Sequence, residues 1–173
     1  AYAVFLRPSR PHAEIRAMDL DPARAAPGVL AVLTGQDYLA DGHRGMDHVP
    51  NPADAIAHLE RAFVVSLTGE VFNQRHLPLP VDKIRHVGEA VVMVIAETSR
   101  QARDAVERIE IDYEPLPAVV DADKAMLPGA PQLWAGAANN LCFQVQLGDK
   151  SEVERIFRSA HHVVRREFRN SRI

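Results

Sequence analysis

The stretch that most constrains the fold is residues 85–117, RHVGEAVVMVIAETSRQARDAVERIEIDYEPLP. Its apolar run, residues 90–96, has the length of a buried strand and is far shorter than the roughly 20 residues that span a bilayer. Thr98 and Gln101 have the spacing of a capping box, in which each side chain satisfies a free backbone N–H group of the other residue. The apolar residues that follow recur at the spacing of one helical face: Ala102, Ala105, Val106 and Ile109.

The end of this stretch alternates between apolar and acidic residues, which is the period of a half-buried strand. The acidic side chains fall on one outer face: Glu110, Asp112 and Glu114. This pattern favours a solvated edge over an acid/base pair. The order is therefore strand–helix–strand, with a right-handed crossover if the two strands are parallel neighbours.

The N-terminal residues predict two strands separated by PSRP, and in the second of them Ala13, Ile15 and Ala17 share a face. A helical turn follows, with Asp21 as its N-cap, Pro22 at the first helical position and Gly28 after its end. The continuous apolar run 29–35 predicts a central strand that is covered on both faces.

Residues 41–80 change character and predict a surface insertion that contains a helix over 53–63. Four potential metal ligands cluster at its start: Asp41, His43, Asp47 and His48. Their spacing fits no tight tetrahedral site, so a solvated loop is favoured over a metal centre.

The strand–helix–strand order returns in residues 141–173, after a linker at 126–140. Ser151 and Glu154 match a second capping box. A helical apolar stripe follows (Val153, Ile156, Phe157 and Ala160), and residues 161–168 predict the closing strand. His161 and His162 would point to opposite faces of that strand, and Arg165, Arg166 and Arg169 indicate an interface or a solvated face.

The turn V-G-E at 87–89 is the remaining candidate for chemistry. A phosphate site needs glycines that lead into a helix, whereas Gly88 is followed by strand, and no G-x-G-x-x-G or G-x-x-x-x-G-K-[ST] motif occurs. Gly88 is therefore interpreted as a bulge or a point of close backbone approach, and V-G-E as the start of a buried strand. Nor is there a G-x-S-x-G nucleophile elbow.

The composition sets the class of protein. Of 173 residues 47% are hydrophobic and 25% charged, with a net charge of −3, which indicates a globular protein with neither a nucleic-acid face nor a membrane segment. The lone Cys142 cannot hold an iron–sulfur cluster and fits a reducing compartment, so we expect a cytoplasmic protein. No signal peptide is recognised, and both ends look abruptly cut.

Four motifs occur together in the chain: R-P-H-A-E-I at 10–15, P-G-V-L-A-V-L-T-G at 27–35, V-G-E at 87–89 and D-Y-E-P-L-P-A-V at 112–119. In this order they resemble the start of the large, molybdenum-bearing subunit of the xanthine dehydrogenase/aldehyde oxidase/aerobic carbon monoxide dehydrogenase family. Residues 41–76 fit this resemblance least well. Ala90 departs from the family, which often has proline after V-G-E.

The resemblance implies a mixed α/β fold, an α/β-hammerhead domain over 1–125, with residues 141–173 opening the next, cofactor-binding domain. It implies that the molybdenum–molybdopterin cofactor and the catalytic residues belong to later regions of the parent oxidoreductase, and that iron–sulfur clusters and FAD belong to partner subunits or domains. This piece alone is then expected to have no catalytic, cofactor or metal residues. Val87, Gly88 and Glu89 are expected to contact the cofactor-binding domains.

Two alternatives stay open from the sequence. The chain can instead be a stand-alone, non-catalytic assembly or protein-binding module, or a small enzyme with a site in 41–80. No nucleophile–base pair supports the latter. The substrate of the parent enzyme is not encoded in these residues.

Overall fold

The computed structural model describes residues 1–46, 65–68, 72, 75–142 and 144–168. The chain divides into two compact units, residues 1–50 with 71–142, and residues 51–70 with 143–173. None of the helices in the described ranges has the length and apolar character that a bilayer crossing requires.

In its described residues the first unit holds six strands and four helices. The strands are β1 (Tyr2–Leu6), β2 (Ala13–Asp19), β3 (Val29–Thr34), β5 (Lys83–Ile84), β6 (Val92–Ala96) and β7 (Glu110–Pro115). The helices are α1 (Asp21–Arg24), α2 (Gly35–Ala40), α3 (Ser99–Val106) and α4 (Ala122–Ala125), followed by a short 3-10 segment (Ala138–Asn140). The second unit holds β4 (Val65–Thr68), β8 (Gln144–Leu147) and α5 (Lys150–Ser159).

Part of the core of the first unit lies between α3 and a three-stranded antiparallel sheet in the order β1-β6-β3. Val92 and Val94 of β6 are fully buried, as are Ala102 and Ala105 of α3. Thr98 and Gln101 form both hydrogen bonds of the predicted capping box. The mixed α/β class, the buried strand and the amphipathic helix are therefore confirmed.

The two strands on either side of α3 do not pair with each other. The strand β6 has β1 and β3 on its two edges, whereas β7 pairs antiparallel with β2 in a second sheet, in the order β5-β2-β7. No edge of β6 is left for β7, so no parallel crossover forms. The run 29–35 is likewise an edge strand rather than a central one, and Leu30 is exposed at a break in its register.

Two local predictions near the N-terminus also change. The register of β2 against β7 shifts between Ile15 and Ala17, so that Ala17 is exposed and Met18 packs against the core instead. A β-bulge of this kind inserts one residue and reverses the alternation beyond it. The N-cap of α1 is Leu20 rather than Asp21, which is already helical. The backbone N–H of Asp21 donates a hydrogen bond to the carboxylate of Asp19 at 3.2 Å.

The second unit begins α5 differently from the prediction. Asp149 is the N-cap and accepts a hydrogen bond from the backbone N–H of Glu152 at 3.0 Å, so Ser151 lies inside the helix. Asp149 is preferred over Ser151 as the N-cap because a carboxylate at a helix N-terminus also interacts favourably with the helix dipole.

The predicted closing strand is wrong for the described residues 161–168, which are exposed and form no strand. A strand requires a partner for its backbone groups, and in this unit the described pairing is β4 with β8. The helix predicted over 53–63 lies outside the described residues.

Candidate functional site

Val87, Gly88 and Glu89 form a turn between β5 and β6, and the two residues that follow β1, Arg7 and Pro8, hold this turn in place. The backbone N–H of Gly88 donates to the carbonyl of Pro8 at 3.0 Å. The guanidinium of Arg7 donates to the carbonyl of Gly88 at 2.6 Å. The side chain of Val87 projects from the turn and is 61% exposed.

Gly88 has a backbone conformation that favours glycine. Its φ is +78°, in the left-handed region that side chains disfavour, while a Cβ placed on it would meet nothing within 4 Å. Within the described part of the chain no other backbone closely approaches the Cβ position of Gly88, and an approach by a neighbouring domain stays a prediction. Since β6 begins only at Val92, V-G-E is the turn that precedes the buried strand and not its start.

The side chain of Glu89 stabilises the turn through contacts with residues of the same segment. Its carboxylate accepts a hydrogen bond from the backbone N–H of Arg85 at 2.6 Å, and the ring of His86 lies 3.8 Å away. The side chain is largely buried. Because the carboxylate is engaged inside the turn, Val87 is the member of the predicted interface triplet that is free to contact a neighbour.

The side chain of Arg85 anchors the base of this turn. Its guanidinium lies 3.8 Å from the ring centroid of Trp134, and it donates to both carboxylate oxygens of Asp82 at 3.3 and 3.1 Å and to the carbonyl of Leu133 at 3.3 Å. Burial acts to raise the pKa of Asp82, but the hydrogen bonds and charge of Arg85 outweigh it and hold this pKa below the ordinary value. The contact joins residues 82–89 to the segment predicted as a linker, 126–140.

A cavity of about 250 Å³ opens beside Trp134, lined by Phe72, His76, Leu133, Trp134, Ala137, Asn140 and Cys142. The amide of Asn140 is fully used within the fold: it accepts from the backbone of Leu133 and donates to the carbonyls of Ala125 and Pro131. The thiol of Cys142 lies 3.5 Å from the carbonyl of Phe72. These polar groups are engaged in holding the backbone, so the cavity walls offer mainly aromatic and aliphatic contact.

The other sequence candidates are not brought together. Glu110, Asp112 and Glu114 lie on the exposed face of β7, as predicted. Exposed positions are also occupied by Asp41, His43, His161, His162, Arg165 and Arg166, whereas Asp47, His48 and Arg169 lie outside the described residues. In the described ranges no three His, Cys, Asp or Glu side chains gather as a metal site.

Sequence reasoning missed His12, which is buried at the start of β2. Its Nδ1 lies 2.7 Å from the carbonyl of Pro117 and must donate there, because a carbonyl only accepts. Its Nε2 is buried and has no hydrogen-bond partner in the described part of the chain. The one signal for this role was a histidine directly before an alternating strand. The stack of Arg85 on Trp134 had no signal, because its members lie far apart in the sequence.

Comparisons with known proteins place this fold in a family. Residues 55–117 match the model of the aldehyde oxidase and xanthine dehydrogenase a/b hammerhead domain. The chain is 32% identical to the carbon monoxide dehydrogenase large chain of Afipia carboxidovorans over 98% of its length, which covers 20% of that relative. It is 30% identical to subunit gamma of the 6-hydroxypseudooxynicotine dehydrogenase complex of Paenarthrobacter nicotinovorans, covering 97% of this chain and 19% of that one.

A solved structure supports the same assignment. The Cu,Mo-CO dehydrogenase, in its carbon monoxide reduced state, superposes with a TM-score of 0.61 at 28% identity, over 93% of this chain and 19% of that one. The chain thus spans about a fifth of the length of these relatives. It belongs to the aldehyde oxidase and xanthine dehydrogenase family, whose members include oxidoreductases, and it carries the hammerhead domain of that family.

The described residues do not fit a molybdenum site. They gather no ligand cluster, and four of the left-handed glycines (Gly42, Gly88, Gly129 and Gly148) face open space in separate turns instead of forming one cradle. No residue of this part is therefore assigned to the cofactor.

Proposed function

We propose that this chain is the N-terminal hammerhead part of the large subunit of a molybdenum hydroxylase-type oxidoreductase, with a structural role in packing the domains of that subunit. The observation that carries the proposal is the 32% identity over 98% of the chain to a carbon monoxide dehydrogenase large chain of which it spans one fifth. Molybdopterin and the catalytic residues then lie in the remaining four fifths. Iron–sulfur and flavin centres lie in partner subunits or domains.

Exposed apolar surface in the second unit supports this role. Val153, Ile156 and Phe157 form the apolar stripe of α5, and each is about half exposed or more. Val163 and Val164 are exposed in the adjoining segment, and Phe168 is 89% exposed. Contiguous apolar surface of this kind is typical of an interface. In the proposed subunit, residues 141–173 begin the cofactor-binding domain, and the rest of that domain covers these side chains.

The turn at 87–89 supplies a second proposed contact. The backbone of the turn is held by Arg7 and Pro8 and its carboxylate is engaged internally, so Val87 is presented on a preorganised turn. Preorganised side chains lose little entropy on binding, which favours them as packing points. We infer that Val87 packs against a cofactor-binding domain of the same subunit.

The test uses the gene as it stands in its source. The coding sequence is read beyond the codon for Ile173, and the native protein is isolated and analysed for metal content. We expect several hundred further codons and bound molybdenum. A reading frame that stops near this codon, with a metal-free product that binds other proteins, would overturn the enzyme proposal and favour the stand-alone assembly module.

Substitution of Val87 tests the packing contact in the full-length subunit. Val87→Asp should lower molybdenum occupancy, because a charge on the turn would face an apolar neighbour. The matched control is Val120→Asp, since Val120 is 95% exposed and lies outside the turn. Equal occupancy in the two variants would rule out the contact at Val87.

A further inference from the structure

The sheet β1-β6-β3 has two faces, and only one of them is covered by α3. Val92 and Val94 face the helix and are fully buried. Phe5, Leu33 and Met93 are direct cross-strand neighbours on the opposite face, where none of them is buried. Phe5 is 41% exposed.

These side chains line an apolar groove of about 360 Å³. Its walls are Thr34, Asp37, Tyr38, Asp41, His43, Pro78 and Leu79. The ring of Tyr38 contacts the ring of His43, with centroids 4.9 Å apart, and its hydroxyl donates to the carbonyl of Arg44 at 3.2 Å. These contacts fix the position of Tyr38 in the groove wall. The volume of the groove suits one or two apolar side chains.

The two edges of the groove differ in charge. On the β1 edge, the guanidinium of Arg7 lies 5.5 Å from the ring centroid of Phe5 and donates to the carbonyl of Gly88. Among the described residues no carboxylate forms an ion pair with Arg7. On the β3 edge lie Asp37 and Asp41. The hydroxyl and backbone N–H of Thr34 hold the pKa of Asp37 below its ordinary value, which keeps that edge acidic.

Arg7 links the groove to the turn at 87–89, because its guanidinium lies over the ring of Phe5 and donates to the carbonyl of Gly88. A partner surface that packs on Val87 therefore extends over Arg7 into the groove. An occupant with an apolar side chain fits the floor. A neighbouring Asp or Glu would pair with Arg7 at the β1 edge and would be repelled from the β3 edge.

We propose that the groove on the open face of β1-β6-β3 receives an apolar side chain flanked by a carboxylate, from a segment of the same large subunit beyond residue 173. This inference rests on the proposed function, because the segment belongs to the four fifths of the relatives' length that this chain does not span. The proposed contact specifies where the two domains meet and which kinds of side chain the partner segment carries.

Site-specific photo-cross-linking in the full-length subunit tests the inference. Phe5 is replaced by p-benzoylphenylalanine, and the cross-linked peptides are identified by mass spectrometry. Tyr38 serves as a second position in the groove, in case the first substitution disturbs β1. Val120, outside the groove, is the matched control.

The expected product is an internal cross-link to a peptide beyond residue 173 that carries an apolar residue next to Asp or Glu. Its yield should be several-fold above that from position 120.

The arginine variants test the charge at the β1 edge. Arg7→Gln should reduce the cross-link yield several-fold, and Arg7→Lys should retain most of it. The control Arg16→Gln removes an exposed arginine from the other sheet and should leave the yield unchanged. Cross-links confined to residues 1–173, to a second copy or to another protein would overturn the inference, as would a yield no higher than the control. If the subunit is long and binds molybdenum, such a result refutes the groove contact alone and not the proposed function.

Discussion

The helices α3 and α5 look alike in sequence and differ in what lies opposite them. Each starts at a polar N-cap that accepts a hydrogen bond, and each carries an apolar stripe at helical spacing. In α3 the stripe is buried against the sheet β1-β6-β3, with Ala102 and Ala105 inaccessible to solvent. In α5 the same pattern is exposed, and Phe157 is 57% accessible.

This difference shows that periodicity predicts a helix but not its burial. A helical stripe stabilises a protein only where another element removes it from water. In the first unit the helix α3 and the sheet that covers its stripe both lie in this chain, so their packing stabilises the unit. In the second unit the complementary surface remains to be supplied by the rest of the proposed subunit.

The largest expected effect is that of a buried charge on α3. In the 173-residue chain, Ala105→Asp should lower the free energy of unfolding by about 3 kcal/mol or more, because the carboxylate has no partner in the core. Trp134, the chain's single tryptophan, reports this transition by fluorescence in urea. The matched change on α5, Ile156→Asp, should shift the same transition by less than about 0.5 kcal/mol. Equal shifts would remove the distinction between the two helices.

Two glycines with the same backbone conformation sharpen the comparison. Gly88 has φ of +78° and Gly148 has φ of +83°, and neither would clash with an added Cβ. Gly88→Val should destabilise the first unit by about 2 kcal/mol, and Gly88→Asn by less, because asparagine tolerates the left-handed region. Gly148→Val should leave the Trp134 transition in place. If valine and asparagine at position 88 act equally, the conformation is not the reason for glycine.

The N-caps should give effects of intermediate size. Thr98→Ala removes the hydroxyl that accepts from the backbone of Gln101, and it should lower the stability of the first unit by about 1 kcal/mol. Asp149→Ala should instead reduce helicity over 150–159, measured by the amide exchange of that segment, without moving the Trp134 transition. A shift of that transition by Asp149→Ala would show that the two units unfold together.

The smallest effect concerns two carboxylates that are paired with arginine. Asp82, beside Arg85, has a lowered pKa, so its contribution to stability is complete above the ordinary carboxyl pKa and is lost as the pH falls through the lower value of the folded state. Because the pair is partly exposed, we expect less than about 1 kcal/mol, measured as the difference between wild type and Asp82→Asn at pH 7 and pH 3. The hydrogen bond to Arg155 likewise lowers the pKa of Glu152, yet Glu152→Gln should not alter the pH dependence of the Trp134 transition. Identical pH profiles for wild type and Asp82→Asn would exclude a role for the ion pair.

Much of the local structure was predictable because it depends on neighbours in sequence. The capping box at Thr98, the stripe of α3 and the acidic face of β7 follow from periods of 3.6 and 2 residues, and the structure confirms them. The family was recognisable from four motifs in their order. For the candidate site, the sequence singled out Val87, Gly88 and Glu89; their position at a domain interface stays a prediction.

The features that the sequence predicted wrongly or did not reveal depend on contacts between distant residues. The bulge in β2 exchanges Ala17 for Met18 because of its register against β7, about a hundred residues away. The stack of Arg85 on Trp134 and the bond from His12 to Pro117 likewise join segments that no local pattern connects.

The sequence by itself determined where the helix and strands of residues 90–115 form and to which family the chain belongs. The tertiary structure alone decided that β6 and β7 lie in different sheets, that α3 is buried while α5 is exposed, and that Arg7 lies between a turn and an apolar groove. The physical reason is that backbone propensity and capping act within a few residues, whereas burial and strand pairing require a partner surface that only the folded chain brings into place.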